Sequence, residues 1–179
     1  MAAADFRRDG DEAALTARLK QQDARLKAVA ITKATGMASV ADDESQIGWT
    51  AAKELVLDAY SSFSPELADV AHNFFEQQWI DAPVRPGKRP GAFCAYTVPS
   101  QHPYLLLNWT ARRRDVLTLA HEMGHGLHAY LAREQGIFHQ TTPLTLAETA
   151  SVFGETVTFG RLMDATTEPN ARLALIAES

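Results

Sequence analysis

The sequence predicts a mainly helical fold carrying one short β-hairpin. Three observations predict it: apolar residues recur at helical spacing along most of the chain, two of those runs open on cap-forming residues, and strand-like segments are confined to residues 92 to 109. With 179 residues, 46% of them hydrophobic and 22% charged, the chain can form one soluble domain or a substantial piece of a larger one. The net charge of -5 argues against nucleic acid or an anionic membrane as partner, and Arg112-Arg113-Arg114 is too short a basic run to reverse that. Cys94 is the single cysteine, which excludes an internal disulfide. The N-terminus lacks the apolar stretch of a signal peptide and no window has the length of a membrane span, so the cytoplasm is the expected compartment.

Residues 11 to 30 set Leu15, Leu19, Leu26 and Val29 among charged and amide side chains, a helical pattern, and residues 32 to 46 read as loop around Asp42-Asp43-Glu44. Residues 1 to 46 are thus a poorly defined N-terminal segment, and residues 47 to 179 the organised region. Thr50 can cap a helix to about Tyr60, with Ala52, Leu55, Val56 and Tyr60 on its packed side. Ser64-Pro65-Glu66 supplies a cap, a first-turn proline and an acidic start for a helix to Ile80, with Leu67, Val70 and Phe74 as core stripe. From Asp81 to Gly91, three prolines and two glycines exclude a helix and predict a loop. Ala92 to Thr97 and Tyr104 to Trp109 read as two strands, a hairpin that is either purely structural or an edge to which an extended peptide could add itself.

The run from Ala111 to Leu131 is the helix around which the rest is organised, because it holds His121-Glu122-Met123-Gly124-His125. Residues four apart share a helix face, so His121 and His125 can aim two imidazoles at one ion. Glu122 projects about 100° away, placed to reach a metal-bound water without ligating the metal. Zinc would lower the pKa of that water towards about 7, and the carboxylate could take its proton, so the pattern encodes metal-assisted hydrolysis. Val116, Leu119, Met123, Leu127 and Tyr130 cluster roughly opposite the histidines and predict the packed side.

A third protein ligand is required. A histidine six residues after His125 is excluded by Leu131, and His128, about 10 Å from His121 along the axis, suits a supporting contact or packing better than ligation. His139 lies in a loop-like sequence after Gly136 and serves either a substrate contact or no role. The next helix, from about Thr145 to Met163, sets Glu148 and Glu155 two turns apart on one face with Ser151 near them, while Leu146, Ala150, Phe153 and Val157 line the opposite side. One carboxylate can ligate the ion while the other orients an imidazole; the alternative is a solvated acidic face. Glu168-Pro169-Asn170 opens a further helix-like run.

PGKRPGAFC (86 to 94), HPYLLLNWT (102 to 110), RDVLTLAHEMGHGLH (114 to 128) and AETASVFGE (147 to 155) together resemble the oligoendopeptidase F and thimet oligopeptidase family of zinc metallopeptidases, over roughly residues 47 to 163. The resemblance implies that His121, His125 and Glu148 ligate one zinc ion and that Glu122 is the general base. Glu155, His128 and Ser151 then become supporting residues, and His139 and Tyr104 candidates for touching substrate. It also implies a helical zincin-type core belonging to a larger channel-containing fold, and short peptides as substrates. Family members are several times longer and place a histidine and tyrosines downstream to bind substrate and stabilise the oxyanion, whereas the last tyrosine here is Tyr130 and the last histidine His139. The expectation is therefore a fragment of a catalytic domain that cleaves peptides barely or not at all in isolation. The rival expectation is a non-catalytic piece that keeps the helices, with or without zinc.

Overall fold

A computed structural model of the chain describes residues 46 to 178. The helix expected over residues 11 to 30, and all of the loop expected over 32 to 46 except Gln46, lie outside the described residues.

Helix α1, Trp49–Phe63, buries Ala52, Val56, Ala59 and Tyr60. Thr50 is not its cap: the helix starts at Trp49 after an extended Gly48 that makes no side-chain bond. Trp49 fixes that start by packing edge-on against Trp109 at 5.1 Å and against Phe75 at 5.9 Å. Ser64 does cap α2, Pro65–Glu76, its hydroxyl accepting the Leu67 N–H at 3.3 Å. This helix stops four residues before the expected Ile80. Gln78, at φ 59°, turns the chain so that Trp79 is buried between Phe74 and a His102 ring stacked 4.0 Å away. Ending the helix there lets the indole stack in the core and aims Ile80 at the sheet.

Strands β1 (Ile80–Pro83), β2 (Phe93–Ala95) and β3 (Tyr104–Trp109) form a sheet in the order β1-β3-β2. The hairpin of β2 and β3 is as expected, antiparallel with Cys94 opposite Leu105 and Ala95 opposite Tyr104. The loop expected from Asp81 begins instead as β1, running parallel to β3 with Ile80 opposite Leu105. Pro83, which cannot donate to a ladder, is tolerated because β1 is an edge.

Helix α3, Arg113–Ala132, lies on the sheet and carries the two histidines. The Asp115 carboxylate holds its start by accepting from the N–H groups of Thr110 at 2.6 Å and Arg112 at 3.2 Å. Val116, Leu119, Met123 and Leu127 are buried as expected and Tyr130 is partly buried, but Leu117, Ala120, Gly124 and Gly126 are buried too. The helix is therefore enclosed on two sides, by the sheet and by a later helix. After a 3-10 turn at Arg133–Gln135, the expected helix from Thr145 to Met163 comes as two pieces, α4 (Leu144–Ala147) and α5 (Thr149–Ala165), with Glu148 at the joint; α6 is Pro169–Glu178. The buried face of α5 is Ser151, Gly154, Thr158 and Leu162, whereas Leu146, expected on the packed side, is 55% exposed. Small residues win that face because α5 lies so close to α3 and α1 that large ones would not fit.

Candidate metal centre

The sequence sets His121 and His125 one turn apart on α3; the tertiary fold brings Glu148 to them. Glu148 Oε2 lies 3.3 Å from His121 Nε2 and 3.4 Å from His125 Nε2, and the three ligand atoms all fall within 4.8 Å of one another. Around an ion bound at about 2.1 Å, a tetrahedron has edges of about 3.4 Å, so these separations fit zinc held by two imidazole nitrogens and one carboxylate oxygen. The donor types fit equally well.

Gly124 makes the approach possible. A Cβ added there would stand 2.2 Å from the Ala150 carbonyl oxygen and 2.6 Å from Ser151 Cα, so α3 and α5 touch backbone to backbone beside the ligands. Gly154 allows a second close approach, where a Cβ would meet the Tyr60 hydroxyl, itself bonded to the Ala120 carbonyl at 3.1 Å, and the Ala120 oxygen.

Two of the expected supporting residues bond to the candidate ligands. Buried Ser151 donates to Glu148 Oε2 at 2.7 Å, and this bond, helped by His125 and His121, keeps the Glu148 carboxyl below its ordinary value and hence ionised. Glu155 Oε2 stands 3.2 Å from His121 Nδ1 and takes its proton as a hydrogen bond, which leaves the Nε2 lone pair facing Glu148. Burial pushes the His125 imidazole below its ordinary value despite the opposing pull of Glu148, which favours the neutral, ligating form. Its buried Nδ1 has no hydrogen-bond partner among the described residues.

Glu122 is 7% exposed and does not join the ligand group. Burial, with the negative charge of Glu148, pushes its carboxyl above the ordinary value, against the pull of His121 and of a hydrogen bond from the Cys94 N–H. A carboxylate raised this way is a better proton acceptor near neutral pH than an exposed one. Cys94 ties β2 to Glu122 through that N–H, while burial and Glu122 push its thiol up to about 12.

The other expected residues lie further out. His128 Nε2 is 3.4 Å from Thr142 Oγ1 and is outside the ligand group. His139 is exposed in the turn that follows Gly136. Tyr104 neighbours buried Leu105 on β3 and so points to the opposite side of the sheet from α3, into a hollow shared with Trp49, Phe75 and Ile80. Sequence reasoning missed Tyr96, which is half-buried and whose phenol is pushed above its ordinary value by burial, with the charges of Cys94, Glu148 and Glu122 adding to the rise and Thr142 opposing it. Strand alternation could have placed Tyr96 on the same side as Cys94, but not told which side meets α3.

The profile of peptidase family M3 matches residues 38 to 178. An oligoendopeptidase F homologue of Lactococcus lactis subsp. lactis is 37% identical over 103 residues, 57% of this chain and 17% of the relative. Oligopeptidase PepF of Bacillus subtilis is 28% identical over 142 residues, 76% of this chain and 20% of the relative. A crystal structure of a candidate peptidase from Chlamydophila abortus superposes with a TM-score of 0.67 and 28% identity, over 75% of this chain and 23% of that one. The chain thus spans about a fifth of the length of the curated relatives it matches.

Proposed function

The chain belongs to peptidase family M3, and from that premise we propose that residues 47 to 179 form a portion of the catalytic domain of a zinc-dependent endopeptidase acting on short peptides. One observation carries the reading: two imidazoles of α3 and the carboxylate at the α4–α5 joint converge at zinc-ligand spacing, with a buried glutamate beside them that is not a ligand. His121, His125 and Glu148 would hold the metal, which when bound lowers the pKa of a water and polarises a carbonyl. Glu122 takes the proton of the attacking water and returns it to the leaving amide nitrogen. Glu155 and Ser151 fix the orientation of His121 and Glu148 throughout. Strand β2 lies at an edge of the sheet, where an extended peptide could pair with the backbone and bring its scissile carbonyl beside Glu122. No helix among the described residues is long and apolar enough to cross a membrane. The one cysteine is a free thiol, which suits a reducing compartment, and we place the chain in the cytoplasm on that ground.

Elemental analysis of the purified chain is expected to give about one zinc per chain. Zinc should fall to background in a His121→Ala, His125→Ala double variant. Glu148→Ala, which removes a ligand, should weaken zinc by more than the roughly 10- to 100-fold typical of an outer hydrogen-bond partner. Zinc retained undiminished by the double variant would sink the assignment. The rival reading is a non-catalytic piece that keeps the helices, either with zinc binding or with only a structural or binding role. Chelator-sensitive cleavage of a short peptide by the zinc-loaded chain, however slow, decides for the first reading, since the rival predicts none.

A further inference from the structure

The hydrogen bond between His121 and Glu155 joins α3 to α5, and the residues that immediately precede its two ends, Ala120 and Gly154, both meet a side chain from a third helix. The Tyr60 phenol of α1, 1% exposed, donates to the Ala120 carbonyl oxygen at 3.1 Å. A Cβ added at Gly154 would collide with that same hydroxyl and stand 2.7 Å from the Ala120 oxygen. One buried hydroxyl thus fills the contact between α3 and α5, one residue before His121 on one helix and one residue before Glu155 on the other. Burial pushes the phenol above its ordinary value, so its proton stays in place to be donated. The Ala120 oxygen can accept it because the helix ladder, through the N–H four residues on, occupies one of its two lone pairs.

We infer that Tyr60 is a positioning residue for the metal centre: its hydroxyl sets the separation of α3 and α5 at which Glu155 reaches the His121 ring. The inference rests on the zinc reading and adds a residue to it. Tyr60 bonds to backbone and acts through the Glu155 carboxylate, which in turn holds His121 so that its Nε2 faces Glu148, 3.3 Å away. The bond it serves has little to spare. At 3.2 Å, Nδ1 to Oε2 stands at the long end of the nitrogen–oxygen range, so a slip of a few tenths of an ångström between the helices breaks it. An imidazole without that partner is free to turn, and the orientation of a metal-binding histidine is set by what its other nitrogen bonds. A tyrosine in the core only for its ring would need neither the Ala120 bond nor the glycine opposite; both are present, and both adjoin the ends of the one bond that orients His121.

The test uses the full chain and two readouts, zinc affinity by competition with a chelator and solvent exchange of the His121 Nδ1 proton by NMR. Tyr60→Phe keeps the buried ring and removes only the hydroxyl. It should weaken zinc binding about 10-fold, the lower end of what loss of an orienting partner costs, and the Nδ1 proton should exchange faster. Val56→Ala, one turn earlier on the same buried face of α1, removes methyl groups and no hydrogen bond. It should lower the melting temperature at least as far as Tyr60→Phe does while leaving zinc affinity and the Nδ1 proton as they are. In a Glu155→Ala background, Tyr60→Phe should cost zinc nothing further, because the bond it positions is already gone. Zinc affinity unchanged in Tyr60→Phe overturns the role of Tyr60 and leaves the zinc reading standing. An equal loss of zinc in Val56→Ala, or a full second loss in the Glu155→Ala background, overturns it too, because either marks general support of the fold. Failure of the unsubstituted chain to bind zinc at all overturns the zinc reading, and the role of Tyr60 with it.

Discussion

Glu122→Gln is expected to keep the full zinc content of the chain while slowing peptide cleavage by about 100- to 10,000-fold, the usual worth of a general base. The amide matches the carboxylate in size, fills the same buried space and still accepts from the Cys94 N–H, so neither helix nor strand need move. It cannot take a proton from water. Single-turnover cleavage of a fluorogenic peptide, with zinc measured on the same samples, gives both readouts. A variant that lost zinc as Glu148→Ala should would make Glu122 a ligand, and one that cleaved at the unsubstituted rate would make it a bystander.

The same substitution has a signature in stability. Because folding raises the Glu122 pKa, folding is favoured most when the group is protonated, and that contribution is lost as pH rises from the ordinary carboxylate range through the raised value. Glutamine carries no such dependence. For the zinc-free protein, the melting temperature of Glu122→Gln relative to the unsubstituted chain should therefore be higher at neutral pH than in acid. A gap of the opposite sign would mean that the carboxylate is stabilised where it sits.

The second large effect belongs to Gly124. A single methyl group in Gly124→Ala would lie 2.2 Å from a carbonyl oxygen and 2.7 Å from its carbon, both backbone atoms of α5 that no side-chain rotation can move away. Overpacking of this kind costs about 1 to 3 kcal/mol, occasionally more, and the rigid obstacle puts it at the upper end, against roughly 1 kcal/mol returned by the better helix propensity of alanine. The net loss of about 2 kcal/mol or more should lower the melting temperature by about 5 °C or more. The larger consequence is at the metal. Relief of the clash requires α3 and α5 to move apart, and Glu148 stands at the N-terminal end of α5, so its oxygen leaves the 3.3 Å and 3.4 Å positions that complete the ligand set. Zinc affinity should fall at least about 10-fold, as it does when an outer partner that orients a ligand is lost. Unchanged melting and unchanged zinc affinity in Gly124→Ala would show that the close approach is not what assembles the centre.

What the sequence determined by itself were the relations that helix and turn geometry fix over a few residues. His121 and His125 share a face and Glu122 stands aside because a helix turns by about 100° per residue wherever it is placed. Ser64-Pro65-Glu66 started a helix, and Glu168-Pro169-Asn170 another, because a cap bonds to backbone only a few residues away. Local geometry also put Glu148, Ser151 and Glu155 on one side of a helix-like run, though it left open which carboxylate does what. The tertiary structure decided the rest. Strand β1 escaped notice because four residues ending in proline are a strand only when β3 lies alongside. The packed face of α5 was misread because apolar size indicates burial against a core, whereas a helix seated directly on another buries the residues small enough to allow it, here Ser151 and Gly154. The Cys94 N–H reached Glu122 through the register of β2 on β3 and of the sheet on α3, neither of which is written in any short stretch of chain. The distance from Glu148 to the two imidazoles likewise depends on contact between segments remote in sequence, and contact of that kind exists only once the chain has folded.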